Sequence, residues 1–195
     1  GTGDSALNLD QVNAHDWIDD IGVAIDEVKD IANVEQVNLI GLRLGGLLAA
    51  SACTHREDIK SLILWDSFVS GKQYITELES QIEGEGLLSV NGELNSNYKN
   101  KSGIINFNGF SLSSDLQKSM KILNLMKMKF SGKKSIFNII SHEEAISFSF
   151  IEYMKEKNNF QSELIDAPHD WNYVDKYGGI LLPQPIIQVI VNRLG

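Results

Sequence analysis

Apolar residues recur at three- and four-residue spacing through Trp17, Ile18, Ile21, Ala24, Ile25, Val28 and Ile31. That spacing puts them on one face of a helix, predicted over residues 14–32. Asp16, Asp19 and Asp20 lie in its first turns, where carboxylates complement the helix dipole. The pattern then changes. VNLIGL at 37–42 is too short for a helix and is bounded by polar residues, so it reads as a buried strand. Residues 44–54 are small and apolar, which suits a helix packed closely against a neighbour. SLILWDSF at 61–68 is an almost unbroken apolar run, the mark of a strand covered by helices on both faces. Residues 71–81 look helical. The rhythm fails over 84–111, which is rich in Asn, Gly, Ser and Lys around an apolar island at 104–110. We read this stretch as an insertion with one or two short strands. Helical spacing returns over 113–126, with Ser113 or Ser114 as the cap. SIFNII at 135–140 is a third strand, 143–157 a helix, 160–165 a fourth strand and 184–194 a last helix. Helix and strand in alternation predict an α/β fold with a mostly parallel sheet flanked by helices. No internal repeat or heptad pattern interrupts it.

Composition narrows the function classes. A chain of 195 residues is long enough for one domain with a real core. Its net charge of −9 leaves out the basic footprint of a nucleic-acid binder, and an anionic membrane would repel it. No apolar stretch reaches the ~18 residues of a membrane span, and no signal peptide is visible. The lone cysteine, Cys53, excludes an internal disulfide and suits a reducing compartment, so a cytoplasmic location is expected. Cys53 lies on an alanine run and reads as a packing residue. His142 and Glu143 are adjacent, without the i, i+4 histidine or C-x-x-C spacing of a metal site, so neither metal nor cofactor is expected. Trp17 and Trp65 read as core residues, and KMKFSGKK at 127–134 as a solvated connector.

The candidate chemistry sits in GLRLGG, residues 41–46, at the junction of the first strand and the next helix. The pattern matches the nucleophile elbow G-x-S-x-G except at its centre, which is Arg43. Gly41 and Gly45 flank the centre at two residues on either side, where larger side chains would clash with the strained turn. Three further stretches agree with an elbow. The helix HDWIDDIGVAIDEV precedes it, LWDSF followed by GKQYITEL comes after it, and DAPHDW places His169 just past the last predicted strand. The opening GTGDS is similar to a G-x-G-x-S loop. Together these resemble the α/β-hydrolase superfamily in its esterase and serine-aminopeptidase-like branch. GLRLG and LW…SG–aromatic also resemble the exosortase-associated hydrolase-like group.

The resemblance implies a partial α/β-hydrolase fold. Residues 1–83 would form the central part of the core with the elbow, 84–131 a cap-like insertion and 132–195 the C-terminal part of the core. It also implies a serine, acid and histidine triad. His169 fits the base, Glu143 is the first choice of acid, Glu144 the second, and Asp66 an alternative acid position. Arg43, Leu44 and Trp171 are the ligand-contacting candidates. With arginine at position 43 there is no hydroxyl for His169 to deprotonate, and acyl-enzyme chemistry stops. A guanidinium at a helix N-terminus instead suits a small anionic ligand. The competing expectation is that Arg43 pairs with Glu143 or Asp66 and shuts the site. An active hydrolase or acyltransferase of ester, thioester or peptide bonds remains a further reading.

In the family, about four strands precede the loop that GTGDS resembles, and a loop among them supplies one oxyanion donor. Without them, 37–42 would be an exposed apolar edge, and such edges aggregate. We therefore expect an N-terminal segment or a second polypeptide to supply the missing strands. A homo-oligomer pairing two edges is the alternative, and a subunit that completes another chain's sheet is the corresponding function.

Overall fold

The computed structural model describes residues 9–87, 104–107, 110–131, 133–143, 145–157, 159–167 and 183–194. Helix α1 (Ala14–Ala32) occupies the range its spacing predicts. The Asn13 side chain accepts the His15 N–H, and the Asp16 carboxylate accepts the Asn13 N–H at 2.8 Å. Orphan amides at the start of the helix are satisfied in this way. At the other end Asn33 takes a left-handed conformation, with φ 50°, and closes the helix.

Four parallel strands follow in the order β1 (Val37–Leu42), β2 (Ile59–Trp65), β5 (Ser135–Ile140) and β6 (Phe160–Leu164). Helix α2 (Leu44–His55) joins β1 to β2, and α3 (Gly71–Leu87) leaves β2. A small antiparallel hairpin, β3 (Ile105–Phe107) and β4 (Phe110–Leu112), precedes α4 (Ser114–Ile122). Helices α5 (Ala145–Met154) and α6 (Gln184–Leu194) complete the described chain. The architecture is a mostly parallel sheet flanked by helices, a partial α/β-hydrolase fold.

The apolar runs in β2 and β5 have the reason expected of them. Leu62 and Leu64 bury one face under α2 and its neighbours, while Ile63 and Ile139 bury the other against Ile186 and Ile190 of α6. Burying one such side chain stabilises the fold by roughly 1.5–3 kcal/mol. The two outer strands differ. β1 exposes half of its residues and β6 all but its first.

Several boundaries depart from the sequence pattern. The second strand ends at Trp65, because Asp66 adopts φ 43° and turns the chain away from the sheet. Helix α3 runs on to Leu87, past Gly84. The helix expected over 113–126 stops at Ile122. Leu123 is extended, and the Asn124 side chain caps a separate 3-10 turn, Leu125–Lys127. Ser113 is the N-cap of α4, accepting the Leu116 N–H. The connector 127–134 is not wholly solvated. Lys134 is buried, and its Nζ donates to the Cys53 carbonyl at 3.0 Å, at the negative end of α2.

Candidate functional site

Parallel pairing brings the C-terminal ends of β1, β2 and β5 to one rim of the sheet. Ligands of open α/β sheets gather at such a rim. The ladder continues one step past the strands. The Arg43 N–H donates to the Trp65 carbonyl at 3.0 Å, and the Asp66 N–H donates to the Ile139 carbonyl at 2.9 Å. Arg43, Asp66 and Ser141 thus leave three adjacent strands at the same end.

Arg43 forms the turn between β1 and α2 with φ 54° and ψ −123°, a conformation that side chains rarely adopt. Such a backbone costs on the order of 1–3 kcal/mol and persists only where its surroundings enforce it. Here they do. The Gly46 N–H donates to the Arg43 carbonyl at 3.1 Å, and α2 starts so close to β1 that no side chain fits between them. A Cβ on Gly41 would lie 2.4 Å from the Gly46 Cα, and one on Gly46 would lie 2.4 Å from the Ser67 Oγ. A Cβ on Gly45 would meet nothing within 4 Å. The second crowded glycine is therefore Gly46, not the Gly45 that the pentapeptide pattern suggested.

The Arg43 side chain is held on two sides. Its Nη2 donates to Glu77 Oε1 on α3, and its Cζ lies 4.4 Å from the centroid of the Phe68 ring. Phe68 is buried and packs edge-to-face on Tyr74 at 5.3 Å. Gln81 Nε2 donates to Glu77 at 3.3 Å and helps to fix it. Tyr74, between these groups, has its phenol pushed up by burial first and by the Glu77 charge second. The guanidinium is thus neutralised by Glu77, with its face covered by an aromatic ring.

Next to it, Asp66 is buried. Its two oxygens accept the Ser141 N–H at 2.7 Å and the Ser141 hydroxyl at 2.5 Å. His142 Nδ1 stands 3.3 Å from the Ser141 Oγ and 3.9 Å from Asp66 Oδ1. Arg43, Asp66, Ser67, Phe68, Gln73 and His142 surround a cavity of about 10 Å³. That is room for roughly one water.

The expected residues separate as follows. Arg43 and Asp66 share this cavity. The partner of Arg43 is Glu77, not Glu143 or Asp66, because α3 presents Glu77 directly to the turn. Glu143 is exposed. Leu44 opens α2 and packs, half-buried, against the main core. His169, Trp171, Glu144 and the opening GTGDS lie outside the described residues. Glu77, Phe68, Ser141 and His142 were not singled out for this site. A signal for Glu77 exists in KQYITELESQ, where Gln73, Glu77 and Gln81 recur every four residues and so share one face of a helix. Cys53 is buried, and burial pushes its thiol up to about 11, which leaves little thiolate at neutral pH. Among the described residues no cluster of histidine, cysteine or carboxylate groups has the makings of a metal site, and no helix is long and apolar enough to cross a membrane.

Neither a family model nor a curated protein matches the sequence. Solved structures do match the fold. A lipase-esterase related protein from Clostridium acetobutylicum aligns over 98% of this chain and 79% of its own, at 12% identity and a TM-score of 0.59. Est1E from Butyrivibrio proteoclasticus aligns over 94% and 72%, at 15% identity and a TM-score of 0.57. Alpha/beta hydrolase domain-containing protein 10 from mouse aligns over 100% and 76%, at 16% identity and a TM-score of 0.57. Identities this low speak to architecture alone. The parallel sheet, the tight strand–helix turn at Arg43 and these alignments together assign the chain the α/β-hydrolase fold.

Proposed function

We propose that this is a non-hydrolytic protein built on the hydrolase fold, with Arg43 in the nucleophile position, and that its role is to bind a protein partner. The observation that carries this reading is the state of the Arg43 side chain. A guanidinium has no electron pair to attack a carbonyl at neutral pH, since arginine stays protonated. At this turn it is also paired with Glu77 and stacked on Phe68.

The same contacts favour a protein partner over a small anion. An anionic ligand at Arg43 competes with Glu77 for Nη2 and, among the described residues, meets a cavity of about 10 Å³. Asp66 has both oxygens engaged by Ser141, so it too is committed. Among the described residues, side-chain contacts of this kind contribute rigidity to the rim where a hydrolase needs an open cleft.

A fluorophosphonate probe tests the reading directly. The intact chain should show no covalent labelling above a heat-denatured control, and p-nitrophenyl acetate should hydrolyse at the rate of buffer alone. Labelling of the chain with Arg43 in place, traced by mass spectrometry to one serine, would establish an active hydrolase and overturn the proposal.

A further inference from the structure

We propose that the groove between α1 and α2 is a binding site for a small organic cation, an ammonium group carried on an apolar body. The site makes no use of Arg43 and lies outside the partner-binding reading above.

The groove has a volume of about 470 Å³. Small-molecule sites span roughly 300–1,000 Å³. Helix α1 contributes His15, Asp19, Gly22 and Asp26, which recur at spacings of four, three and four residues and so share one stripe of the helix. With about 3.6 residues per turn, that stripe faces away from Val28 and Ile31, the bare apolar positions of the same helix. Helix α2 contributes Ser51, Ala52 and His55. Ile18, half-buried, and Ala52, buried, give the groove an apolar lining. Gly22 keeps it open, since a Cβ there would meet only Arg56 Nη1, at 3.6 Å.

Two observations select the guest. The first is Ser51. It is 8% exposed and lines the groove, and its hydroxyl makes no hydrogen bond among the described residues. A polar group buried that deeply normally has a partner, and the groove is where a guest can supply one. The Ser51 carbonyl, by contrast, accepts the Thr54 hydroxyl at 2.7 Å and lies 3.0 Å from His55 Nδ1. A carbonyl only accepts, so the neutral imidazole carries its proton on Nδ1 and keeps Nε2 as an acceptor. The second observation is the charge. Arg56 is committed to Asp26 and, at 2.6 Å, to Asp58. Asp19 has no ion pair among the described residues. An anion in the groove would meet a spare carboxylate and no spare guanidinium. An ammonium group can donate to Asp19 and finds neutral acceptors in Ser51 and His55.

The test follows the amide signals of the full chain by nuclear magnetic resonance at pH 8 during titration with 2-phenylethylammonium. Neutral 2-phenylethanol and anionic 3-phenylpropanoate are titrated separately. The ammonium probe is expected to give saturable shifts centred on residues 15–26 and 51–56, and the other two to bind about fivefold more weakly or less, the scale of a partly exposed charge pair. Asp19→Asn should weaken the ammonium probe by about the same factor and leave 2-phenylethanol unchanged. Gly22→Leu fills the groove with a better helix former and should abolish the shifts, while the amide signals of β2 and β5 stay in place as the sign of an intact fold. Asp19 is exposed, so its variant decides the matter even if Gly22→Leu does not fold. No saturable shift with the ammonium probe, equal binding of all three probes, or tighter binding of the propanoate overturns the proposal. Shifts centred instead on residues 43, 66–68 and 142 overturn it in favour of the Arg43 turn. None of these outcomes alters the fluorophosphonate result, so the two readings fail separately.

Discussion

At the residue scale, the turn at Arg43 separates what a motif can tell from what only packing can. GLRLGG predicted a tight strand–helix corner, because glycines around a single large residue have few other uses there. Which glycine is indispensable was not legible, since that depends on how Ser67 from β2's exit approaches α2. A Cβ at position 46 would sit 2.6 Å from the Ser67 Cβ as well as against its hydroxyl, whereas position 45 is open. Gly46→Ala should therefore destabilise the chain by about 1–3 kcal/mol, the usual cost of overpacking. Gly45→Ala should be neutral or stabilising by up to about 1 kcal/mol, since alanine is the better helix former. Urea unfolding of the two variants decides it, and equal effects would mean the corner is looser than its contacts imply. Likewise, the clamp on Arg43 was unreadable in one dimension. Gln73, Glu77 and Gln81 could be placed on one helical face, but not the direction in which α3 would aim that face.

At the element scale, bounds were most legible where local chemistry and burial agree. The N-terminal cap at Asn13, the carboxylate at Asp16 and the left-handed Asn33 define α1 almost without tertiary help. The helix over 113–126 was misjudged because its apolar spacing continues through a break made by Leu123 and Asn124, whose hydrogen bonds are specific to this fold. The junction of α1 with the α2–β2 loop rests on a charge network. Arg56 binds Asp58 through Nε at 2.9 Å and Nη2 at 2.6 Å, Lys29 binds Asp58 at 2.7 Å, and Arg56 also reaches Asp26. The Arg56 side chain, first of all, holds the Asp58 carboxyl well below its ordinary value near 3.8. A carboxyl depressed in the folded state contributes stability that is complete above the unfolded value and is lost as pH falls through the folded one. Asp58→Asn should cost about 1 kcal/mol at pH 7. The gap to the parent chain should hold from pH 7 to about 5 and narrow progressively as the pH falls below the ordinary carboxyl value near 3.8. Thermal melts across that range check it, and a gap that widens on acidification would contradict the network.

At the scale of the whole molecule, stability should be distributed by strand position. β2 and β5 have a strand on each side and helices on both faces, and β5 buries all but its first residue. Among the described residues β1 and β6 have one neighbour each; half of β1 and most of β6 are exposed. An α/β class with buried central strands was legible, because unbroken apolar runs are affordable only under cover. The order of the strands was not, as it depends on pairings between segments far apart in sequence, such as Ser61 with Ser135. Local opening of an outer strand exposes few apolar contacts, whereas releasing β2 or β5 dismantles the core, and amide exchange follows those free energies. In the free chain, the slowest amides of β2 and β5 should exchange only through global unfolding, tracking the stability measured in urea. Those of β1 should exchange at least tenfold faster and be insensitive to low urea, the behaviour of a local fluctuation. If β1 instead matched β2 in rate and urea dependence, the four strands would open as one unit. The exposed edge would then be held by something more than its single hydrogen-bonded neighbour.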